Sequence, residues 1–281
     1  MPRLDPAWLD AEYNNRARVP EHAQILERWA KASALVREQS SRRLDVRYGD
    51  GPNETLDIFP TQRADAPVLV FIHGGYWRAL DKADVSFIAA SFTNDGVMVV
   101  VPNYALAPAV SIEAIALQLV DALAWTWRHA AIYGGDPKRI VVAGHSAGGH
   151  LAAMMLSCVW KAAARDLPAR LVRGALSISG LYDLEPVRHT PFLRDDLRLT
   201  PASARKLSPA LFPAPAHGVL YTTVGSTESD EFRRQNRLIR DAWGAKAVPV
   251  CEEIPGKNHF DVLHDLADPT GRLHRLALDL A

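Results

Sequence analysis

Cysteine is scarce in this chain of 281 residues, which contains two, Cys158 and Cys251. A disulfide-stapled secreted scaffold needs more of them, and structural zinc sites repeat cysteine at close spacing, so neither architecture is expected. Both thiols read as buried apolar side chains, with no metal and no cofactor implied. Net charge is also missing, since Lys plus Arg and Asp plus Glu each number 32. Without a basic excess there is no electrostatic case for a nucleic acid partner or for an anionic membrane. No apolar run approaches the ~20 residues that span a bilayer. The opening Met1-Pro2-Arg3-Leu4-Asp5-Pro6-Ala7-Trp8 lacks the apolar stretch of a signal peptide, so a cytoplasmic protein is expected. Internal repeats and low-complexity tracts are absent too.

What is present fits one globular unit over residues 1–281. A hydrophobic content of 48% is enough to fill a large core. Residues 1–42 read as a helical N-terminal arm, in which Tyr13 and Arg16 could cover a pocket, though a solvated amphipathic helix is the plainer reading. Strands are expected at 43–48 and 55–59 as an edge hairpin. Further strands are expected at 68–73, 97–101, 139–143, 171–179, 218–225 and 248–254, with helical stretches between them. Such alternation predicts an α/β fold with a mostly parallel central sheet and helices on both faces. Residues 182–215 break the alternation and are rich in Pro, Arg and Asp, as a small cap or a surface insertion would be. A homodimer is left open.

The chemistry begins at Val141-Val142-Ala143-Gly144-His145-Ser146-Ala147-Gly148-Gly149-His150, where a β-branched run leads into G-x-S-x-G and then a helical run. A strand ending at Gly144 and a helix starting at Ala147 force Ser146 into a sharp elbow that exposes its hydroxyl above the sheet. The helix N-terminus leaves backbone N–H groups unpaired, and that of Ala147 can face an oxygen bound beside Ser146. Upstream, the apolar run 67–72 enters His73-Gly74-Gly75-Tyr76-Trp77. Its glycines let the backbone approach a ligand, so N–H groups of Gly75 and Tyr76 can converge on the same oxygen. His73 reads as a hydrogen-bonded strand-end residue, and Tyr76 and Trp77 as candidates to line a substrate pocket.

A serine hydroxyl needs a base, and the base needs an orienting acid. Of the six histidines after Ser146, His259 follows a strand-like run and a loop and precedes a helix, which is the place for a general base. His150 lies one helical turn past the elbow, His189 and His217 lie in polar connections, and His264 and His274 lie in the last helical run, expected at 260–280. For the acid, Glu228 stands three residues past the strand end at Gly225. Asp230 is the alternative, better suited to the N-terminus of the following helix, expected at 231–243; Glu231 is a weaker third. Asp183 reads as a turn cap.

Together, His73-Gly74-Gly75-Tyr76-Trp77, Gly144-His145-Ser146-Ala147-Gly148-Gly149, Ser179-Gly180-Leu181-Tyr182-Asp183-Leu184-Glu185-Pro186, residues 225–235 and Asn258-His259-Phe260 resemble the kynurenine formamidase (arylformamidase) branch of the α/β hydrolases. The resemblance covers most of the chain after Arg43. The elbow and His-Gly-Gly are shared with hormone-sensitive-lipase-like esterases, which carry a third glycine where this chain has Tyr76. Carried over by motif, the triad falls on Ser146, Glu228 and His259, with Glu228 where eukaryotic members tend to have Asp. The resemblance implies a serine hydrolase that removes a small acyl group from an aryl formamide or ester through an acyl-enzyme, with N-formyl-L-kynurenine as the favoured substrate. A broad short-chain carboxylesterase is the alternative. A non-catalytic binding protein of the same fold would usually have lost the nucleophile, the base or the glycine loop, and all three are retained.

Overall fold

The computed structural model describes residues 4–281; Met1, Pro2 and Arg3, on which part of the signal-peptide reading rests, lie outside the described residues. The chain begins with three helices, α1 (Pro6–Tyr13), α2 (Asn15–Arg18) and α3 (His22–Gln39), where one helical arm was expected. Asp5 caps α1 by accepting from the Trp8 N–H at 2.8 Å, and Pro6 occupies the first turn, where its missing N–H costs nothing. Asn14 closes α1 and caps α2, which sets the bend between them.

Eight strands follow, β1 (Arg43–Arg47), β2 (Thr55–Phe59), β3 (Ala66–Ile72), β4 (Met98–Pro102), β5 (Gly135–His145), β6 (Val172–Ile178), β7 (Leu220–Gly225) and β8 (Val250–Ile254). They form one sheet in the order β1-β2-β4-β3-β5-β6-β7-β8. β1 pairs antiparallel with β2, and β2 with β4; every later pairing is parallel. Burial explains the sequence patterns. Both β3 and β4 are buried at every position and read as unbroken apolar runs, whereas β1, at the edge, alternates exposed with half-buried residues.

Helices α4 (Ala89–Asn94), α5 (Ile112–His129), α6 (Ala147–Leu156), α7 (Trp160–Ala163), α8 (Glu185–His189), α9 (Pro191–Leu197), α10 (Pro201–Lys206), α11 (Asp230–Ala247), α12 (Val262–Ala267) and α13 (Arg272–Leu280) complete the chain. Leu119, Leu123 and Leu151 pack on one face of the sheet with Val70 and Val142. The other face carries Leu69, Phe71 and Val141 under Ile88, Leu273 and Leu276. Each such side chain contributes about 2 kcal/mol when fully buried, so the central strands are fixed from both sides. α11 starts one residue earlier than expected and runs on to Ala247 across a kink at Gly244, whose φ is 79°. The single helix expected at 260–280 is two, because Pro269 lacks an N–H to continue the first, and Gly271 sits at the N-cap of the second.

The arm is not a solvated helix. α3 packs along residues 82–88, with Trp29 stacked on Phe87 at 5.7 Å and Ser33 Oγ donating to the Asp84 carbonyl at 3.0 Å. Segment 182–215 folds into α8, α9, α10 and a short 3-10 turn at Pro209–Leu211, with Leu193 and Ala204 fully buried.

Candidate active site

Ser146 sits between β5 and α6 with φ 57° and ψ −118°, outside the regions that L residues favour. Its N–H donates to the Ile178 carbonyl at 2.8 Å, which pins the strained residue to the neighbouring strand. The elbow closes only because its flanks lack side chains. A Cβ at Gly144 would stand 2.1 Å from the Gly148 carbonyl oxygen, and one at Gly148 would stand 2.0 Å from the Ile72 oxygen. Strand β3, the elbow and α6 therefore approach at backbone distance, which brings the His-Gly-Gly loop beside the serine.

Ser146 Oγ lies 3.1 Å from His259 Nε2, and His259 Nδ1 lies 2.6 Å from Glu228 Oε2. All three residues are buried to within 5% of full coverage. The far carboxylate oxygen of Glu228 accepts from the Ser179 hydroxyl at 2.6 Å and from the Gly225 N–H at 2.7 Å, so both of its oxygens are committed. A carboxylate held this way orients the imidazole with Nε2 toward the serine. Asp230 is exposed at the first position of α11, paired with Arg233, and points away from this chain of bonds. The cap of that helix is Ser229, which accepts from the Phe232 N–H. Glu231 is buried but belongs to another network, bonded to Arg234 and to the Tyr13 hydroxyl.

Most of the remaining histidines have other partners. His145 Nε2 donates to the His259 carbonyl at 2.7 Å, and burial together with the adjacent His259 holds its pKa well below the ordinary histidine value, so it stays neutral. His150 bonds the Leu207 carbonyl at 2.8 Å, its pKa pushed down to about 4 by burial. His73 stacks on Tyr104 at 4.2 Å and bonds Asn103 Oδ1 at 3.2 Å, also neutral through desolvation. His189 bonds Glu185, His274 is buried against Asp95, and Asp183 accepts from the Glu185 N–H.

The His-Gly-Gly loop turns through left-handed backbone at three successive residues, Gly75 (φ 97°), Tyr76 (φ 49°) and Trp77 (φ 56°). Among the described residues neither the Gly75 nor the Tyr76 N–H donates to another protein group. Ala147 occupies the first position of α6, where an N–H has no intrahelical partner. The strain at Tyr76 is offset by its hydroxyl, which donates to the Tyr13 carbonyl at 2.7 Å, and by edge packing on Phe192 at 5.9 Å. Burial keeps that phenol protonated, its pKa well above the usual value. Trp77, expected to line the pocket with Tyr76, does not. Its side chain is completely buried, edge-on to His150 at 5.0 Å, because the turn sends consecutive rings apart.

Ser146 and His259 floor a cavity of about 480 Å³. Its walls come from three separate pieces of chain: Tyr13, Asn15, Arg16 and Trp29 of the arm, Tyr76 and Arg78 of the glycine loop, and Phe192 with Asp196 on α9. Sequence reasoning missed Asn15, Trp29, Phe192 and His145. For Trp29 a signal existed, because Ile25, Trp29 and Ser33 recur every fourth residue and mark a buried stripe on α3. Among the described residues no helix is long and apolar enough to cross a membrane.

Comparisons with known proteins agree with this fold. A family profile described as α/β hydrolase fold matches residues 69–262. A kynurenine formamidase from Salmo salar is 30% identical over 84% of this chain and 81% of its own. Esterase LipQ of Mycobacterium tuberculosis is 29% identical over 80% of this chain and 59% of its own. The crystal structure of a candidate thioesterase from Silicibacter sp. TM1040 superposes with a TM-score of 0.85 at 31% identity, covering 96% of this chain and 98% of the other. The chain belongs to the α/β-hydrolase fold family, on the branch of the kynurenine formamidases, and is a hydrolase of the formamidase or esterase class.

Proposed function

We propose that Ser146 is the nucleophile, His259 the general base and Glu228 the orienting acid of a serine hydrolase that cleaves aryl formamides, with N-formyl-L-kynurenine as the substrate of choice. The reading rests on the continuous chain of hydrogen bonds from Ser146 Oγ through His259 to Glu228 at the cavity floor. Ser146 Oγ attacks the formyl carbon as its proton passes to His259 Nε2, and the carbonyl oxygen becomes an oxyanion facing the N–H groups of Gly75, Tyr76 and Ala147. The C–N bond then breaks, with His259 returning the proton to the departing aryl nitrogen. Water, activated by the same imidazole, hydrolyses the formyl-serine to formate and the free hydroxyl.

Tyr76 supports a small acyl group, because its ring is tied at both ends and stands where longer-chain esterases carry glycine. Residues 1–42 and 182–215 belong to one catalytic unit with the sheet, as arm and cap roofing the cavity. A cytoplasmic setting goes with this reading, supported by the unpaired thiols Cys158 and Cys251. The esterase relative favours a second reading, a broad short-chain carboxylesterase with the same machinery. Comparing kcat/KM for N-formylkynurenine with that for acetyl and butyryl p-nitrophenyl esters separates them. A strong formamide preference supports the first reading, and a flat profile dominated by esters selects the second.

A further inference from the structure

The triad uses the floor of the cavity, while the wall built by the arm carries unbalanced charge. Three side chains of charged type line the space, Arg16, Arg78 and Asp196. Arg78 is spoken for: it pairs with Asp196, donates to the Phe192 carbonyl at 2.9 Å and lies over the Phe192 ring at 5.5 Å. Arg18, two residues beyond Arg16, is engaged as well, with Glu12 and with the Ala11 carbonyl. Among the described residues Arg16 has neither an ion pair nor a hydrogen bond, so the cavity wall keeps one guanidinium without a partner. Beside it stands a second unmet group. Asn15 is 5% exposed, lines the same cavity, and its side-chain Nδ2 is buried without an acceptor. A buried donor left unpaired is costly, and such groups are retained where a ligand completes them.

From this pairing of an idle guanidinium and an idle amide we infer that Asn15 and Arg16 form an anion subsite that holds a carboxylate on the leaving-group portion of the substrate. The assignment to that portion rests on the formamidase reading, since a formyl group leaves almost all of the cavity to the departing amine. The enzyme is thereby selective for aryl formamides and esters that carry a carboxylate over those of similar size that lack it. Arg16 supplies the charge-assisted bond and Asn15 a directional donor at its base.

The test is the ratio of kcat/KM for N-formylkynurenine to that for N-formylkynuramine, in which hydrogen replaces the carboxylate. The ratio is expected to be about tenfold or more at low ionic strength, to shrink with added salt, and to fall to within about threefold of unity in Arg16→Gln, chiefly through KM. Arg16→Lys should retain part of it and Arg16→Glu should push it below one. Arg16 is exposed, so these variants are expected to fold, which circular dichroism checks. A ratio unchanged by Arg16→Gln and insensitive to salt overturns the subsite. Should neither formamide turn over, the formamidase reading fails. The ratio for 3-carboxyphenyl acetate over phenyl acetate then decides the subsite independently, by the same criteria.

Discussion

Single side chains carry the sharpest consequences. Ser146→Ala removes the proposed nucleophile at the cavity floor and is expected to lower kcat by roughly 10⁴-fold or more on formamide and ester alike, with the thermal unfolding curve intact. Persistent turnover by purified variant would contradict the assigned chemistry. Glu228→Gln and Asp230→Asn, assayed side by side, should diverge: the first loses on the order of 10³-fold or more in kcat because His259 loses its anionic partner, while the second stays near wild type. Tyr76→Phe deletes the hydroxyl that ties a left-handed residue to the Tyr13 carbonyl. A fall in kcat of about tenfold with little change in KM is expected as the loop N–H groups drift from the oxyanion position; an unaltered kcat would show that the tether is dispensable. These residues differ in how well the sequence announced them. Ser146 and His259 were legible because each sits in a local context, strand then turn then helix, that its neighbours spell out. Asn15 and Phe192 were not, because nothing near them in the chain says which distant loop they will face.

At the scale of elements, the sheet and its strand boundaries were readable within a few residues, since strands buried on both faces leave unbroken apolar runs. The misreadings came at helix-breaking residues. Pro269 with Gly271 was undervalued and divides the last helical run, whereas Gly244, just past the expected helix end at 243, only kinks α11. The arm was undervalued for the opposite reason, because its polar surface residues outnumber a narrow apolar stripe that nonetheless packs tightly. The junction of β3, β5 and α6 yields a direct test. Gly148→Ala would drive a methyl group into the Ile72 carbonyl at 2.0 Å, so the helix must shift. The expected cost is about 3 kcal/mol or more, visible as a lowered Tm; a stability equal to wild type would mean that α6 can move without penalty.

For the whole molecule, the buried neutral histidines set the response to acid. His73, His145 and His150 all have pKa values below the ordinary one through burial, and the unfolded chain therefore binds protons that the folded chain refuses. Their contribution is complete above pH ~6.5 and is lost as pH falls toward the folded values. For His150, at about 4, the loss amounts to about 3 kcal/mol. Urea melts between pH 8 and pH 4 should show stability declining below pH ~6.5; a flat profile would place compensating groups elsewhere. Substituting His150 with a neutral residue of similar shape should flatten part of that decline.

The turn from β7 into α11 has two duties at once. Glu228, itself held by the Gly225 N–H, bonds the His259 imidazole, and a few residues on, the Glu231 N–H donates to Glu12 at 2.9 Å while the Glu231 carboxylate receives the Tyr13 hydroxyl at 2.7 Å. One short stretch of backbone thus joins the triad to the attachment of the first helix, and the two are expected to be coupled. A covalent inhibitor on Ser146 should slow deuterium uptake by amides of residues 6–18 as well as by those around it.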